Sequence, residues 1–313
     1  MGYISVAETA KKWNVSERTV RNYCAHDKIP GAFLTGKTWN IPDSAQKPMR
    51  QSAGEENRDL LTVLREEKKN GIKGGIYHKI QVDLTYNSNH IEGSRLTHEQ
   101  TCYIFETQSV DGAVFVNDVF ETANHFRCLD WVLDTISEPL SEEYVKQMHR
   151  ILKAGLMTQQ NPEVVIGDYK KYANVVGGIE TAKPGEVSAQ MAQLLQTYQN
   201  LQQPDFYEIA WFHMAFEKIH PFYDGNGRVG RLLLLKMCLE NDIVPFYINS
   251  ESKMFYYAGL KEWQTQGKPN RLLDVFLSMQ DDMKAVLDYF EIDYDHTETT
   301  ASTLAEQHKK WKL

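Results

Sequence analysis

A twelve-residue stretch from His220 to Arg231, reading HPFYDGNGRVGR, constrains this chain more than any other feature of its sequence. The proline after His220 disfavours helical backbone at the histidine, so a helix should end there. The glycine-rich turn that follows opens onto the apolar run 232–235, which predicts another helix. Unpaired backbone N–H groups at such a helix start favour an anion. The stretch therefore predicts a loop between two helices that binds a phosphate.

The side chains of this loop supply three kinds of chemistry. His220 can take a proton from a hydroxyl, because the pKa of histidine lies near neutrality. Asp224 offers the hard carboxylate oxygen that Mg²⁺ prefers, although the same carboxylate could instead cap the following helix. Arginines offer planar donors to phosphates, and glycines let the backbone approach them closely. The residues expected to contact phosphate are Gly225, Asn226, Gly227, Arg228 and Arg231.

The stretch matches the HPFx[D/E]GNGRxxR signature of the Fic family at every fixed position, so the chain resembles that family. The resemblance implies a mainly α-helical bundle with one short β-hairpin. It also implies transfer of AMP from ATP to a hydroxyl side chain of a target protein or of the chain itself. His220 would be the general base, and Asp224 would hold Mg²⁺ or Mn²⁺. The resemblance implies that Arg231 binds the γ-phosphate. Doc-type kinases carry lysine at the position of Arg228, so the arginine favours transfer of AMP.

A second motif, SNHIEG at residues 88–93, resembles the (S/T)xxxE(G/N) inhibitory motif of autoinhibited Fic proteins. Ser88 and Glu92 are four residues apart, so on a helix they share one face. A carboxylate beside Arg231 would form a charge-assisted pair and occupy the arginine that binds the γ-phosphate. The alternative is an ordinary helix that ends at Gly93. The resemblance thus predicts autoinhibition by Ser88, Glu92 and Gly93.

Two further segments resemble parts of the family that contact the target and the nucleotide. Residues 167–178, GDYKKYANVVGG, alternate β-branched and aromatic residues between glycines, which predicts a hairpin. In the family this hairpin is a flap that docks the target backbone as an added strand, although a plain surface hairpin is the alternative. The residues expected to contact the target are Lys170, Val175 and Val176, although relatives usually carry arginine at the position of Lys170. Farther along, Tyr257 and Gln264 are expected to contact the nucleotide.

The first fifty residues differ in charge from the rest of the chain. They carry eight Lys and Arg against four Asp and Glu, a net +4, whereas the remainder carries 26 against 38, a net −12. Two short helices, Val6 to Trp13 and Glu17 to Tyr23 behind a Ser16 cap, precede a hairpin at residues 33–42. This order resembles excisionase- or MerR-like winged helix-turn-helix domains and predicts DNA binding, with protein docking or dimerisation as the alternative. The expected DNA contacts are Arg18, Thr19, Arg21 and Asn22.

The expected organisation follows from these segments. It comprises a winged helix-turn-helix domain at 1–48, a linker and helical lead-in at 49–75, a Fic domain at 76–290 with its inhibitory helix near 77–93, and a tail at 291–313. Apolar residues at helical spacing predict helices in the Fic domain at 118–133, 143–156, 186–201, 205–219 and 271–290. The side chains of Glu121, Asn124 and His125 are expected on the surface of the first of these helices.

Cysteine usage and hydropathy indicate the compartment. The four cysteines are widely spaced with no CxxC pair, which argues against a zinc site or a disulfide scaffold and fits a reducing cytoplasm. The N-terminus lacks an apolar leader, and no apolar run approaches the length of a membrane span. The sequence therefore predicts a cytoplasmic protein without a membrane partner. Since Fic proteins often self-associate, a homodimer is also an expected assembly.

Two other functions stay open at the level of sequence. The same site could remove AMP from a modified target, a reaction that the inhibitory glutamate supports in some relatives, or it could transfer another nucleotide. In a different class, the chain would be a transcriptional regulator whose Fic core senses nucleotide and turns over little or nothing. Product formation that depends on His220 separates the enzymes from the regulator.

Overall fold

The computed structural model describes residues 2–13, 15, 17–25, 28–47, 59–156 and 165–309, and it is mainly helical. The chain forms two compact units. The smaller comprises Met1–Asp59 and Lys284–Thr297, and the larger comprises Leu60–Met283 and Glu298–Leu313. This division differs from the expected one at two points. Residues from Leu60 onward, expected as a helical lead-in to the Fic domain, belong to the larger unit, and Lys284–Thr297 joins the N-terminal unit.

The smaller unit has two helices and a three-stranded antiparallel sheet of order β1-β3-β2. Val6, Ala10, Val20 and Cys24 recur four residues apart on the two helices, so each helix buries one apolar face. The first helix has the expected bounds, while Asn14 and Ser16, the expected turn and cap, lie outside the described residues. The elements of this unit are β1 (Tyr3–Ile4), α1 (Val6–Trp13), α2 (Glu17–Ala25), β2 (Phe33–Thr35) and β3 (Thr38–Pro42).

The larger unit is a helical bundle with one two-stranded hairpin. The five helices expected from apolar spacing are all present, each within three residues of the predicted bounds. The elements are α3 (Leu60–Asn70), α4 (Ile76–Ile91), α5 (His98–Thr107), α6 (Val116–Asp134), α7 (Glu142–Lys153), β4 (Val175–Val176), β5 (Ile179–Glu180), α8 (Pro184–Gln199), α9 (Phe206–Ile219), α10 (Asn226–Glu240), α11 (Lys253–Gln266), α12 (Asn270–Tyr289) and α13 (Ala301–Gln307).

Helix α10 is the central element of this bundle. It packs against α4, α6, α7 and α9, and its side chains from Val229 to Leu239 are buried on every face. Four consecutive leucines cover every side of one helical turn, so other elements must surround that turn, which explains why the Leu232–Leu235 run lies in the core. The glycine-rich turn at the start of α10 is thereby fixed beside the C-terminal end of α4.

The hairpin lies later in the chain than expected. The sequence predicted it across residues 167–178, but the paired strands are Val175–Val176 and Ile179–Glu180. Gly177 and Gly178 form the two-residue turn with φ angles of 58° and 79°. Positive φ at both turn positions suits the twist of a tight hairpin and favours glycine, so this pair marks the turn rather than the end of the hairpin.

Two remaining expectations concern the tail and the membrane. The region expected as a tail contains α13, whose Ala301 and Leu304 are buried, and His308 beyond it stacks on Tyr207 with ring centroids 4.3 Å apart. Among the described residues, no helix combines the length and the apolar character needed to cross a bilayer.

Candidate functional site

His220 ends α9 in a backbone conformation that is unusual for a histidine. Its φ is 51° and its ψ is 63°, in the left-handed region, and its N–H donates to the carbonyl of Phe216 at 2.9 Å. Residues other than glycine adopt this conformation at some cost, and such residues cluster at functional sites. The left-handed cap and Pro221 together end the helix where the sequence predicted and turn the chain into the glycine-rich loop.

The loop is held closed by Phe222 and Asn226. Phe222 is fully buried and donates its N–H to Asn226 Oδ1 at 2.8 Å, while Asn226 Nδ2 donates to the Phe222 carbonyl at 2.9 Å. Both ends of the Asn226 amide are thus engaged within the loop. The expected contact of Asn226 with phosphate stays a prediction. Gly225 precedes α10 with a φ of 87°, which favours glycine.

Arg231 is bound by the segment that resembles the inhibitory motif. The guanidinium donates from Nε to Ser88 Oγ at 2.9 Å, and from its NH2 nitrogen to the Ser88 carbonyl at 2.9 Å and to Glu92 Oε1 at 2.7 Å. Burial raises the pKa of Glu92, but the Arg231 guanidinium outweighs it, so the pKa lies below its ordinary value and the pair is ionic. The expected juxtaposition of Ser88, Glu92 and Arg231 is therefore present.

Two glycines adjoin this contact, and Gly227 is the one that gives it space. A Cβ at Gly227 would lie 2.3 Å from Glu92 Oε1 and 3.0 Å from one Arg231 nitrogen, so a side chain there would collide with the ion pair. Gly93, directly after Glu92, has a φ of 100°, in the region that favours glycine, and it ends α4. The inhibitory segment therefore fits against the start of α10 because Gly227 has no side chain.

Asp224 belongs to a closed ring of two acids and two bases. Lys153 Nζ lies 2.5 Å from Asp224 Oδ2 and 3.2 Å from Glu121 Oε1. Arg228 completes the ring, 2.6 Å from Glu121 Oε1 and 3.7 Å from Asp224 Oδ1. Burial raises the pKa of Asp224, but Lys153 and Arg228 outweigh it, so the pKa lies below its ordinary value. The carboxylate is ionised and half-exposed, while Arg228 is almost wholly buried.

Three residues of this site were not anticipated from the sequence. Glu121 was expected on the surface of α6, as were Asn124 and His125, but Asn124 and His125 are buried and Glu121 pairs with two cations. Lys153 and His149 were not singled out. Both belong to the buried face of α7, and a charged residue in line with that helix's apolar positions was the available signal.

His149 positions the start of the loop. Gly167 N–H donates to Nδ1 at 2.9 Å, so Nε2 carries the proton of the neutral ring and donates to the Asp224 carbonyl at 3.0 Å. The ring also stacks on Phe222, with centroids 3.9 Å apart. Burial lowers the pKa of His149 to about 4, so the ring stays neutral at pH 7. His149 is thus a structural support for the backbone of Asp224.

Lys170 has a different position from the one expected. Its side chain is buried, and its ammonium donates to Asn174 Oδ1 at 2.8 Å, to Thr181 Oγ1 at 2.6 Å and to the Ile219 carbonyl at 3.3 Å. The expectation that it contacts a target is therefore wrong, because the ammonium ties the hairpin to the end of α9. Val175 and Val176, by contrast, are exposed on β4.

The residues expected near the nucleotide base differ in accessibility. Tyr257 is part-exposed at 39%, beside Tyr256, with ring centroids 5.2 Å apart. Gln264 Nε2 donates to the Met214 carbonyl at 3.2 Å. Tyr256 and His213 are buried and joined by a hydrogen bond of 2.8 Å, so His213 belongs to the core. Base contacts by Tyr257 and Gln264 stay predictions.

The residues expected to contact DNA belong to α2 of the smaller unit. Thr19 donates to Asp288 at 3.5 Å, and Arg21 pairs with Glu17 at 2.7 Å on the exposed face. Lys28, just beyond the helix, pairs with Glu291 at 2.5 Å. The side chains of Arg18 and Asn22 lie outside the described residues. An acidic segment therefore packs near this helix, and DNA binding stays a prediction.

The electrostatic setting of His220 predicts a pH profile. Burial lowers its pKa to about 4, and the nearby ammonium of Lys170 acts in the same direction. A histidine that serves as base must be neutral, and its neutral fraction falls as pH drops through the pKa. We therefore expect activity of an uninhibited variant to be level from about pH 7 down to about pH 5 and to fall below that. Asp224, whose pKa is lowered, stays ionised over this range.

The measurement is kcat/KM between about pH 4.5 and pH 8, with circular dichroism at each pH to confirm that the protein stays folded. A free histidine would instead lose half of its basic form near pH 6.5. A half-maximal point above about pH 6 would contradict the buried, neutral state of His220.

Comparison with known proteins supports the resemblance of the larger unit to the Fic family. Residues 139–238 match the model of the Fic/DOC family. The "Protein adenylyltransferase Fic" of Drosophila mojavensis is 26% identical over 224 residues, covering 68% of this chain and 42% of that protein. The protein of the same name from Drosophila willistoni is 27% identical over 206 residues, covering 64% and 38%. The chain thus spans about two fifths of the length of these curated relatives.

Solved structures show the same fold. A Fic domain containing signaling protein from Bacteroides thetaiotaomicron has a TM-score of 0.55 at 24% identity, covering 73% of this chain and 92% of its own. A Fic family protein from Desulfovibrio desulfuricans has a TM-score of 0.59 at 20% identity, covering 79% and 80%. Fic-1 from C. elegans has a TM-score of 0.57 at 21% identity, covering 72% and 69%. The larger unit has the Fic fold, and the family match and the relatives support a Fic protein.

Proposed function

We propose that this chain is a protein adenylyltransferase that moves AMP from ATP to a hydroxyl side chain and is held inactive by Glu92. The observation that carries the proposal is the binding of Arg231 by Glu92 and Ser88. The backbone N–H groups at the start of α10 have the arrangement that favours an anion. The buried Arg231 beside them is already paired with the carboxylate of Glu92. An arginine bound in this way cannot bind a phosphate with the same nitrogens.

His220 performs the proton transfer in this proposal. Its lowered pKa keeps the ring neutral, so it can accept the proton of a Ser, Thr or Tyr hydroxyl. The hydroxyl oxygen then attacks the α-phosphorus of ATP, a bond to that phosphorus forms, and pyrophosphate leaves. The backbone N–H groups of Gly225, Asn226 and Gly227 bind the phosphates at the helix start. Arg228 and Arg231 add charge, and Arg231 serves the γ-phosphate once Glu92 withdraws.

The residues present fit a divalent metal at Asp224. The carboxylate is ionised, its side chain is 53% exposed, and it lies next to the turn proposed to bind phosphates. A single carboxylate oxygen together with phosphate oxygens and water is the ligand set that Mg²⁺ prefers, and Mn²⁺ accepts the same ligands. When bound, the metal would neutralise charge on the transferring phosphates. Asp224 would hold it there, and His149 would keep the Asp224 backbone in place.

The hairpin suggests how a target is held. Val175 and Val176 are exposed on a short strand of a two-stranded sheet, with 63% and 41% of their surface accessible. Such a strand can pair with an extended peptide of the target through backbone groups. This pairing would position the target hydroxyl whatever residues flank it in the target sequence. Lys170 ties this hairpin to the residue before His220, so a docked peptide would be held in a fixed place relative to the base.

The metal requirement tests this proposal. In the Glu92→Gly variant with α-labelled ATP, we expect label on protein in the presence of Mg²⁺. Excess chelator should lower labelling by at least about a hundredfold, since metal charge stabilisation contributes several kcal/mol, and added Mg²⁺ or Mn²⁺ should restore it. Parallel samples with γ-labelled ATP should stay unlabelled, because pyrophosphate leaves with the γ-phosphate. Labelling that persists in excess chelator would rule out the metal role of Asp224.

A further inference from the structure

Lys153 is a buried cation at the proposed metal carboxylate, and no step described so far uses it. Its side chain is only 6% exposed, and its ammonium lies 2.5 Å from Asp224 Oδ2 and 3.2 Å from Glu121 Oε1. Burying a long charged side chain is costly unless its charge is compensated. This cation contacts the carboxylate of Asp224, which is the group that would bind the metal ion.

The ring around Asp224 is electrically balanced. Glu121 and Asp224 carry two negative charges, and Lys153 and Arg228 carry two positive charges, all within 3.7 Å of a neighbour in the ring. A dication that enters such a ring gains no net attraction and is repelled by the ammonium that already holds Asp224. Without nucleotide, the site therefore disfavours binding of a metal ion.

The stem of Lys153 runs along the phosphate turn. A Cβ at Gly225 would lie 3.3 Å from Lys153 Cδ, so the side chain passes against the backbone of that residue. The side chain whose ammonium holds Asp224 therefore already borders the turn proposed to bind phosphates. Lysine suits a movement from one anion to another, because its charge is compact and its stem is flexible.

We propose that Lys153 is a phosphate-binding residue that makes metal binding depend on nucleotide. In the free protein its ammonium holds Asp224 and keeps divalent metal out. When phosphates enter the turn, Lys153 turns to them and releases Asp224 to the metal. This inference rests on the proposed nucleotide site, and it adds an order to binding, in which phosphate and metal enter together and neither binds tightly alone.

The test uses Mn²⁺ as the probe and the full chain carrying Glu92→Gly, so that Arg231 is released from its carboxylate partner. Electron paramagnetic resonance of unbound Mn²⁺ gives its affinity with and without a non-hydrolysable ATP analogue. Lys153→Met should tighten Mn²⁺ binding without nucleotide by about tenfold or more, because a cation in direct contact with the carboxylate is removed. The same change should weaken metal-free binding of the analogue, measured by equilibrium dialysis, by about tenfold, because one charge-assisted contact is lost.

Lys146→Met is the matched control, because Lys146 is on the same helix but pairs with Glu142 and Asp168, each at 2.9 Å. It should leave both affinities unchanged. Lys153→Gln, which keeps a polar group but no charge, repeats the test if the methionine variant does not fold. Unchanged Mn²⁺ affinity in the neutral Lys153 variants would overturn the inference. Mn²⁺ binding that survives Asp224→Ala would instead overturn the proposed metal site, so the two failures are distinguishable.

Discussion

Replacement of Glu92 by glycine is expected to raise AMP transfer by about ten- to a hundredfold. The substitution removes the carboxylate that accepts from Arg231 Nη2 at 2.7 Å, so one N–H of that nitrogen is released for the γ-phosphate while the other still donates to the Ser88 carbonyl. A hydrogen bond between charged groups contributes about 1.5–3 kcal/mol, and each 1.36 kcal/mol corresponds to a factor of ten in rate. Removal of a negative charge from the phosphate site acts in the same direction.

The measurement is incorporation of α-labelled ATP into the chain itself and into proteins of a cell extract. Glu92→Gln is the matched control for charge, because it keeps the size of the side chain and a weaker acceptor for Arg231. It should give an intermediate rate. Glu92 follows the last residue of α4 with ordinary helical φ and ψ, so glycine there should not disturb the fold. Equal rates in the wild type and both variants would show that Glu92 does not inhibit.

Replacement of His220 by alanine in the Glu92→Gly background should lower transfer by about 10²- to 10⁴-fold, the range that a positioned general base contributes. The ring of His220 is part-buried, and burial lowers its pKa to about 4, so the ring is neutral next to the proposed phosphate turn. Binding of ATP should change little, because the phosphate groups are held by the turn and the two arginines.

The assay for this second prediction separates chemistry from binding. Single-turnover labelling gives the rate of transfer, and equilibrium dialysis with labelled ATP gives the affinity. A loss of rate at unchanged affinity is the expected result. If the double variant keeps its activity, His220 is not the base. If no variant is labelled at all, removal of AMP becomes the favoured reaction, or nucleotide sensing by a regulator, for which ATP would change DNA affinity without any effect of His220→Ala.

Local signals in the sequence predicted most of the bundle and the loop. The end of α9 at His220 follows from the proline beside it, and the start of α10 follows from the glycine turn and the leucine run. The contact of Glu92 with Arg231 joins residues 139 positions apart. No periodicity implies such a contact, and it was predictable only because two separate motifs resemble those of one family.

The rest of the site depends on which helix faces meet, and sequence spacing does not determine this. Glu121 resembles any acidic residue on a helix surface until α6 is known to pack against α7 and α10, where its carboxylate bridges Lys153 and Arg228. Lys170 was assigned to the target surface because its segment resembles the family's flap. Its ammonium instead finds three acceptors between the hairpin and α9, and only the packed structure shows them.

The most direct test of the central claim compares three forms of the full chain, the wild type, Glu92→Gly, and Glu92→Gly with His220→Ala. Each is incubated with Mg²⁺ and either α- or γ-labelled ATP, alone and with a cell extract, and intact mass reports AMP on the chain. We expect label from the α position only, faint in the wild type, strong in Glu92→Gly and absent when His220 is also replaced. Label from the γ position, or equal α-label in all three forms, would contradict an adenylyltransferase held inactive by Glu92.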